Sequence, residues 1–330
     1  MFLNSYWEYA GTRYKHKFKV LEASRGDTQN ITWHLFDSSF ENYDWIKEPA
    51  ESFYDLMVIR AKQLRDTYSY LKFWFSGGSD STTALRVFLD NNIHIDEISV
   101  FQCYTPDNHS NIEVNDYALP YLKSIQHLIP KTKIKTYVWD YEYYDRYLGD
   151  KWLETRSNFT IRHFYFPNIK GDNYCNIVCG QEPDIEKRDG KYYSIFLDTS
   201  AYGELSGFRN IELFYTSPDL PQLHAKQSYM LKHFIQHKYT DVPKGALYKE
   251  IVRSVIRDKP VAPEPYYFRK NIGPTTGSMQ WILPKDKMML KSMSEYEKQK
   301  YRSILYSTIS NTPIHRMYRG FTAHSFELSD

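Results

Sequence analysis

Apolar and polar positions between residues 71 and 180 follow two alternating rhythms. Short runs rich in apolar residues, "LKFWF" (71–75), "DEISVFQCY" (96–104), "KIKTYVW" (133–139) and "NYCNIVCG" (173–180), predict buried strands. Between them the spacing turns helical. "DSTTALRVFLDNN" (80–92) is one predicted helix, ending at Asn91-Asn92, and "NIEVNDYALPYLKSIQHLI" (111–129) is a second. The second has Tyr117, Tyr121, Leu122, Ile125, Leu128 and Ile129 on one side and Pro120 as a point of kinking. A largely helical stretch to about residue 170 precedes the fourth strand. Strands that alternate with helices predict an α/β fold, with a mostly parallel twisted sheet flanked by helices on both faces.

On either side of this region the rhythm changes. "HKFKVLEA" (16–23) and "NITWHLFD" (30–37) alternate and read as short strands around a turn at Arg25-Gly26-Asp27. Residues 48–69 predict a helix whose apolar side is Phe53, Leu56, Met57, Val58, Ala61 and Leu64, with Glu48 and Glu51 suited to its N-terminal end. Beyond residue 205 the alternation weakens. "IELFYT" (211–216) reads as a strand, and 221–238, 244–258 and 294–309 as helices. Residues 259–277, with four prolines and two glycines, form a long loop. The pattern divides the chain into an N-terminal segment of strands and a helix (1–69), an α/β core (70–205) and a mainly helical C-terminal part (206–330).

Composition adds limits. The 330 residues suffice for one large domain or two smaller ones, and 25% charged with 42% hydrophobic residues is ordinary for a globular chain. No apolar run approaches the roughly 18 residues of a membrane span. The first residues lack the apolar stretch and cleavage site of a signal peptide, so the expected location is the cytoplasm. Three cysteines do not make a disulfide framework. The net charge of +2 is unevenly spread: Lys226 to Arg302 holds 16 Lys/Arg against 7 Asp/Glu, a net +9, which leaves 26 against 33, or −7, elsewhere. A basic C-terminal part suits an anionic substrate or a nucleic acid, and it also suits a plain solvated surface.

The chemistry concentrates in "FWFSGGSDSTTAL" (73–85), where a buried strand breaks into Ser-Gly-Gly and a helix begins at once. Glycines let the main chain approach an anion and adopt positive φ. The first N–H groups and the dipole of the helix favour negative charge. Ser76, Ser79, Ser81, Thr82 and Thr83 add hydroxyls. Asp80 would repel a phosphate unless it holds a Mg²⁺ that bridges to it. The plain alternative is a strand–helix turn capped by Ser79 or Asp80. Neither the Walker G-x-x-x-x-G-K-[ST] nor the dinucleotide G-x-G-x-x-G pattern is present.

Ser76-Gly77-Gly78-Ser79-Asp80-Ser81 resembles the SGGxDS motif of the PP-loop ATP pyrophosphatases, which cleave ATP between the α and β phosphates and activate a substrate as its adenylate. Within them, residues 154–186 look like the asparagine synthase domain. The resemblance covers roughly residues 70–200 and implies ATP and Mg²⁺ as ligands. Residues 76–81 would hold pyrophosphate, and Gly180 and Gln181 would lie beside it. Asp80 and Asp184 would share the metal, and Tyr104, after the second strand, would meet adenosine. The family's glutamate that handles the amine proton is here Gln181, with Glu182 next to it as the candidate replacement. The family's N-terminal glutaminase domain, which begins with a cysteine after the initiator methionine, is not expected here, since residue 2 is Phe and about 70 residues precede the loop. No cysteine follows Cys179, which separates the chain from the deazaguanine synthases and the sulfonucleotide reductases.

Other residues carry paired readings. Arg162 is a candidate contact for phosphate or a substrate carboxylate, or else a surface ion pair. "CGQEPD" (179–184) would also serve as a plain turn. Cys175 and Cys179 share a strand face, where burial is commoner than metal or redox work. Lys226 and Lys232 are candidates to stabilise leaving charge. His233 and His237, four apart on a helix, are a possible metal pair or polar-face residues.

The resemblance implies an AMP- and pyrophosphate-forming enzyme that adenylates a carboxyl, amide or carbonyl oxygen of a small molecule for attack by an amine donor. Asp80, Glu182 and Arg162 are its catalytic candidates. The alternatives are a base-modifying enzyme acting on tRNA or DNA through the basic C-terminal part, and an ATP-binding module without catalysis.

Overall fold

The structure is a computed structural model, and it describes residues 5–15, 17–25, 27, 29–103, 113–139, 173–179, 183–197, 210–238 and 322–329. The chain opens with β1 (Ser5–Tyr9) and β2 (Thr12–Tyr14), an antiparallel hairpin that the sequence pattern did not reveal. The first expected strand, 16–23, is instead a helix, α1 (Lys17–Ser24). Val20 and Ser24, four apart, are buried while Lys19 and Ala23, also four apart, face out, which is helical rather than alternating spacing. The second expected strand stands as β3 (Thr32–Leu35), and it pairs with the other edge of β1 so that Trp7 sits opposite Trp33, both buried.

A short helix, α2 (Asp37–Phe40), leads to α3 (Phe53–Thr67). Ser52 caps α3: the Asp55 N–H donates to Ser52 Oγ (3.1 Å), and the Ser52 hydroxyl donates back to the Asp55 carboxylate (2.6 Å). That fixes the start at residue 53 rather than 48. Phe53, Leu56, Met57, Ala61 and Leu64 are buried, as the spacing requires.

The central layer follows: β4 (Tyr70–Trp74), α4 (Ser79–Asp90), β5 (Glu97–Cys103), α5 (Leu119–Ile125), β6 (Lys133–Trp139) and β7 (Tyr174–Val178). Before α5 the chain makes a wide π-type helical turn over Glu113–Ala118, and Pro120 sits in the first turn of α5, where its missing N–H costs nothing. After β7 come β8 (Asp184–Arg188) and β9 (Lys191–Leu197), which turn on Asp189-Gly190, both at positive φ as a tight hairpin requires. Then β10 (Ile211–Leu213), α6 (Pro221–Lys238) and β11 (Thr322–Leu328) complete the described elements.

Among the described residues five strands form one sheet in the order β10-β7-β4-β5-β6, and every neighbouring pair is parallel. The α/β fold read from the alternation is therefore present. A second, antiparallel sheet runs β11-β9-β8. One face of the main sheet is apolar, with Leu71, Phe73, Ile98, Val100, Cys175 and Ile177 buried with α3, α4 and α5 in the main core. Burying side chains of this size stabilises by roughly 1.5–3 kcal/mol each. The other face carries Lys72, Glu97, Ser99 and Asn176, all buried. The expected helices at 140–170, 244–258 and 294–309 and the loop at 259–277 lie outside the described residues. Among the described residues no helix is long and apolar enough to cross a membrane.

Candidate functional site

The strand order determines where a ligand fits. From β4 the chain steps outward to β5 and β6, then returns to β7 on the opposite side of β4. The reversal leaves a crevice at the carboxyl ends of β4 and β7, where open α/β sheets bind their ligands. Residues 76–81 leave β4 at that crevice.

Local chemistry shapes the loop. Gly77 has φ +74, and a Cβ placed there would come within 3.0 Å of the Ala118 Cβ, so both conformation and space demand glycine. Gly78 occupies the N-cap position of α4 and offers no capping side chain to the N–H groups of the first turn. The hydroxyls instead brace the loop. Gly78 N–H donates to Ser76 Oγ (3.3 Å), Ser76 N–H donates to Ser81 Oγ (3.3 Å), and the hydroxyls of Ser81 (3.2 Å) and Thr82 (2.7 Å) donate to the Gly78 carbonyl. Ser81 and Thr82 are buried, whereas Ser76 is exposed and Asp80 half-buried. Ser79 opens α4. The turn thus pairs a rigid base with an open mouth carrying a carboxylate and a hydroxyl.

A hydrogen bond ties this mouth to its neighbour. The Tyr215 hydroxyl, just beyond β10, donates to the Asp80 carbonyl (2.7 Å). Cys179, directly after β7, feels the Asp80 charge: burial first and that charge second push its thiol well up. The carboxyl ends of β4 and β7 are neighbours in the sheet, as the switch point requires. Burial also pushes the Cys175 thiol up, with the Glu212 charge adding to it. Neither sulfur is set up as a thiolate.

Of the residues expected here, Ser76, Gly77, Gly78, Ser79, Asp80 and Ser81 come together in one turn. Tyr104, Arg162, Gly180, Gln181 and Glu182 lie outside the described residues. Asp184 opens β8, the first strand of the antiparallel hairpin. Lys226 donates to Glu48 (2.7 Å) and to the Pro49 carbonyl (3.0 Å), and His233 meets the other Glu48 oxygen (2.9 Å), so both are engaged with the segment before α3. Lys232 is fully buried, with its ammonium 5.9 Å from the Tyr192 ring centre and 5.7 Å from that of Tyr229.

Beneath the loop lies a charged network that the strand pattern did not announce. On β4, Lys72 donates to the Tyr137 hydroxyl (2.8 Å) and lies 3.3 Å from Glu97. Glu97 also accepts from Ser99 (2.8 Å), Tyr137 (2.9 Å) and Tyr70 (3.0 Å), and pairs with Lys135 (2.8 Å). Burial works to raise the Glu97 carboxyl, but Lys135, Lys72 and the hydroxyls outweigh it and hold it down at about 2. Burial brings the Lys72 ammonium down to about 8 against the pull of Glu97. Burial dominates at Lys72 because it shares its one carboxylate with Lys135. Next to it, Trp74 stacks on Phe101 (centroids 4.0 Å apart, planes at 9°) at the ends of β4 and β5. A lysine inside the run "LKFWF" was the sequence signal of this network.

Fold and loop together define a parallel α/β protein with a glycine- and hydroxyl-built turn at its switch point. No family model and no curated protein matches the chain. Among solved structures it is similar to NMN synthetase from Francisella tularensis: 14% identity, 68% of this chain and 96% of that chain covered, and a TM-score of 0.34. At that score the likeness carries no weight for substrate or reaction.

Proposed function

We propose that the chain is an ATP-dependent, AMP- and pyrophosphate-forming enzyme that adenylates an oxygen of a small carboxyl or amide substrate for displacement by an amine. One observation carries this reading: the 76–81 turn opens a helix at the switch point of a parallel sheet, with the Asp80 carboxylate at its mouth. In this reading the main-chain N–H groups of the first turn of α4 and the hydroxyl of Ser76 hold the β and γ phosphates. Their charge stabilises pyrophosphate as it leaves, at no reorganisation cost because the loop is already braced.

Asp80 and Ser76 offer only hard oxygen donors, which suits Mg²⁺, with Asp184 a further candidate from the β8 side. The metal would neutralise phosphate charge. Asp80 would hold that metal at the mouth of the turn, where its half-buried setting leaves it in reach of solvent. Glu182 and Arg162 stay candidates for handling the amine proton and the substrate carboxylate. The SGGSDS sequence, similar to the PP-loop motif, supports cleavage between the α and β phosphates.

The test is product identity. The full chain is incubated with ATP, Mg²⁺ and panels of carboxylates and amines. AMP and pyrophosphate are expected; ADP and inorganic phosphate, or ATP binding with no turnover under any pairing, would count against the proposal.

A further inference from the structure

A second cluster lies away from the loop, where the N-terminal segment meets the last strand. His324 on β11 points its Nε2 at two acceptors, the Leu35 carbonyl (2.8 Å) and Asp37 Oδ1 (3.0 Å). Asp37 opens α2, and its other oxygen meets His34 Nδ1 at 2.7 Å. One turn on, Glu41 brings a second carboxylate. One ligand atom from each of Asp37, Glu41 and His324 can be chosen so that all three lie within 4.8 Å of one another.

We propose that Asp37, Glu41 and His324 form a site for a divalent transition ion of the Zn²⁺ type, distinct from any ion held with ATP. Three observations support it. Ligand atoms about 2.0–2.2 Å from a tetrahedral Zn²⁺ sit roughly 3.3–3.6 Å from one another, so the 3.0 Å His324–Asp37 separation needs to open by only a few tenths of an ångström. The donor set mixes imidazole nitrogen with carboxylate oxygen, which favours a borderline ion over Mg²⁺ or Ca²⁺. Finally, the ligands are oriented. His34 holds the second oxygen of Asp37, the kind of outer hydrogen bond that orients a ligating carboxylate, and the His324 ring is packed against Phe326 (5.2 Å, 24°).

Access and protons are also consistent. The His324 side chain is only 9% exposed, Asp37 is 30% exposed, and Glu41 is exposed, so the cluster is walled on one side and open to solvent on the other. Both neighbours of Nε2 are acceptors, so in the metal-free chain Nε2 carries the ring proton. The ion takes that place, and the neutral ring carries its proton on Nδ1 instead. Bound there, the ion ties residues 287 positions apart and locks β11 against β3 and α2.

The experiment is titration of the full chain with Zn²⁺ alone, by calorimetry and by equilibrium dialysis against excess Mg²⁺. One bound equivalent that Mg²⁺ does not displace is expected, with affinity falling about tenfold or more in His324→Gln and in Glu41→Gln. Glu41 is exposed, so Glu41→Gln should keep the metal-free melting temperature and isolates ligation from folding. The Co²⁺-loaded chain should show d–d bands with no thiolate charge transfer. Absence of a bound equivalent, wild-type affinity in both variants, or a thiolate band that moves the ion to the cysteines would overturn the proposal.

Discussion

The Tyr215 hydroxyl donates to the main-chain carbonyl of Asp80 across 2.7 Å, joining the end of β10 to the first turn of α4. The bond fixes the turn that carries the Asp80 carboxylate without using the carboxylate itself. Tyr215→Phe removes one neutral hydrogen bond, worth about 0.5–1.5 kcal/mol. ATP affinity, read by calorimetry, should weaken by about two- to tenfold.

Gly77→Ala meets two penalties at once, the left-handed φ and the 3.0 Å approach to Ala118. Such strain costs about 1–3 kcal/mol. The denaturant midpoint should fall accordingly, and ATP binding should fall with it. A variant with wild-type stability would show that the turn is not held in this conformation.

Asp80→Asn keeps the shape of the turn and removes its charge. If Asp80 holds the metal, AMP formation drops by about 10²–10³-fold while the melting temperature stays near wild type. Equal losses in activity and stability would make Asp80 a structural residue.

The strand–helix order from 71 to 139, the fourth strand and the 76–81 turn were all legible, because each has a local signature in hydrophobic period or glycine placement. What escaped was either ambiguous or long-range. Residues 16–23 alternate for a few positions and still bury Val20 with Ser24 at helical spacing. The β8–β9 hairpin carried a readable Asp-Gly turn, but its first strand begins at the last residue of "CGQEPD", whose resemblance to a family loop suggested a different role for the segment. The pairing of β11 with β9 joins residues more than a hundred positions apart, and no window of sequence contains it. The same holds for Arg60, which donates to the buried Glu212 at 2.6 Å from 152 residues away.

The Lys72–Glu97 network gives the chain a defined acid limb. The Glu97 carboxyl drops from its ordinary 4.5 to about 2 on folding, so its stabilisation is complete above about pH 4.5 and is lost as pH falls through 2. Lys72 drops from 10.5 to about 8, so its burial cost is full below pH 8 and eases as pH rises from 8 to 10.5. Glu97→Gln strands a buried ammonium and should cost about 3–5 kcal/mol. It should also flatten the loss of stability between pH 4.5 and 2 in denaturant titrations.

The most direct measurement is a crystal structure of the full chain with ATP and Mg²⁺. The account predicts the β and γ phosphates against the main-chain N–H groups at the start of α4, residues 79–81, with the metal bound to Asp80 and the α-phosphate facing the crevice between β4 and β7. A nucleotide seated at another edge of the sheet, or one whose phosphates point away from α4, would contradict it.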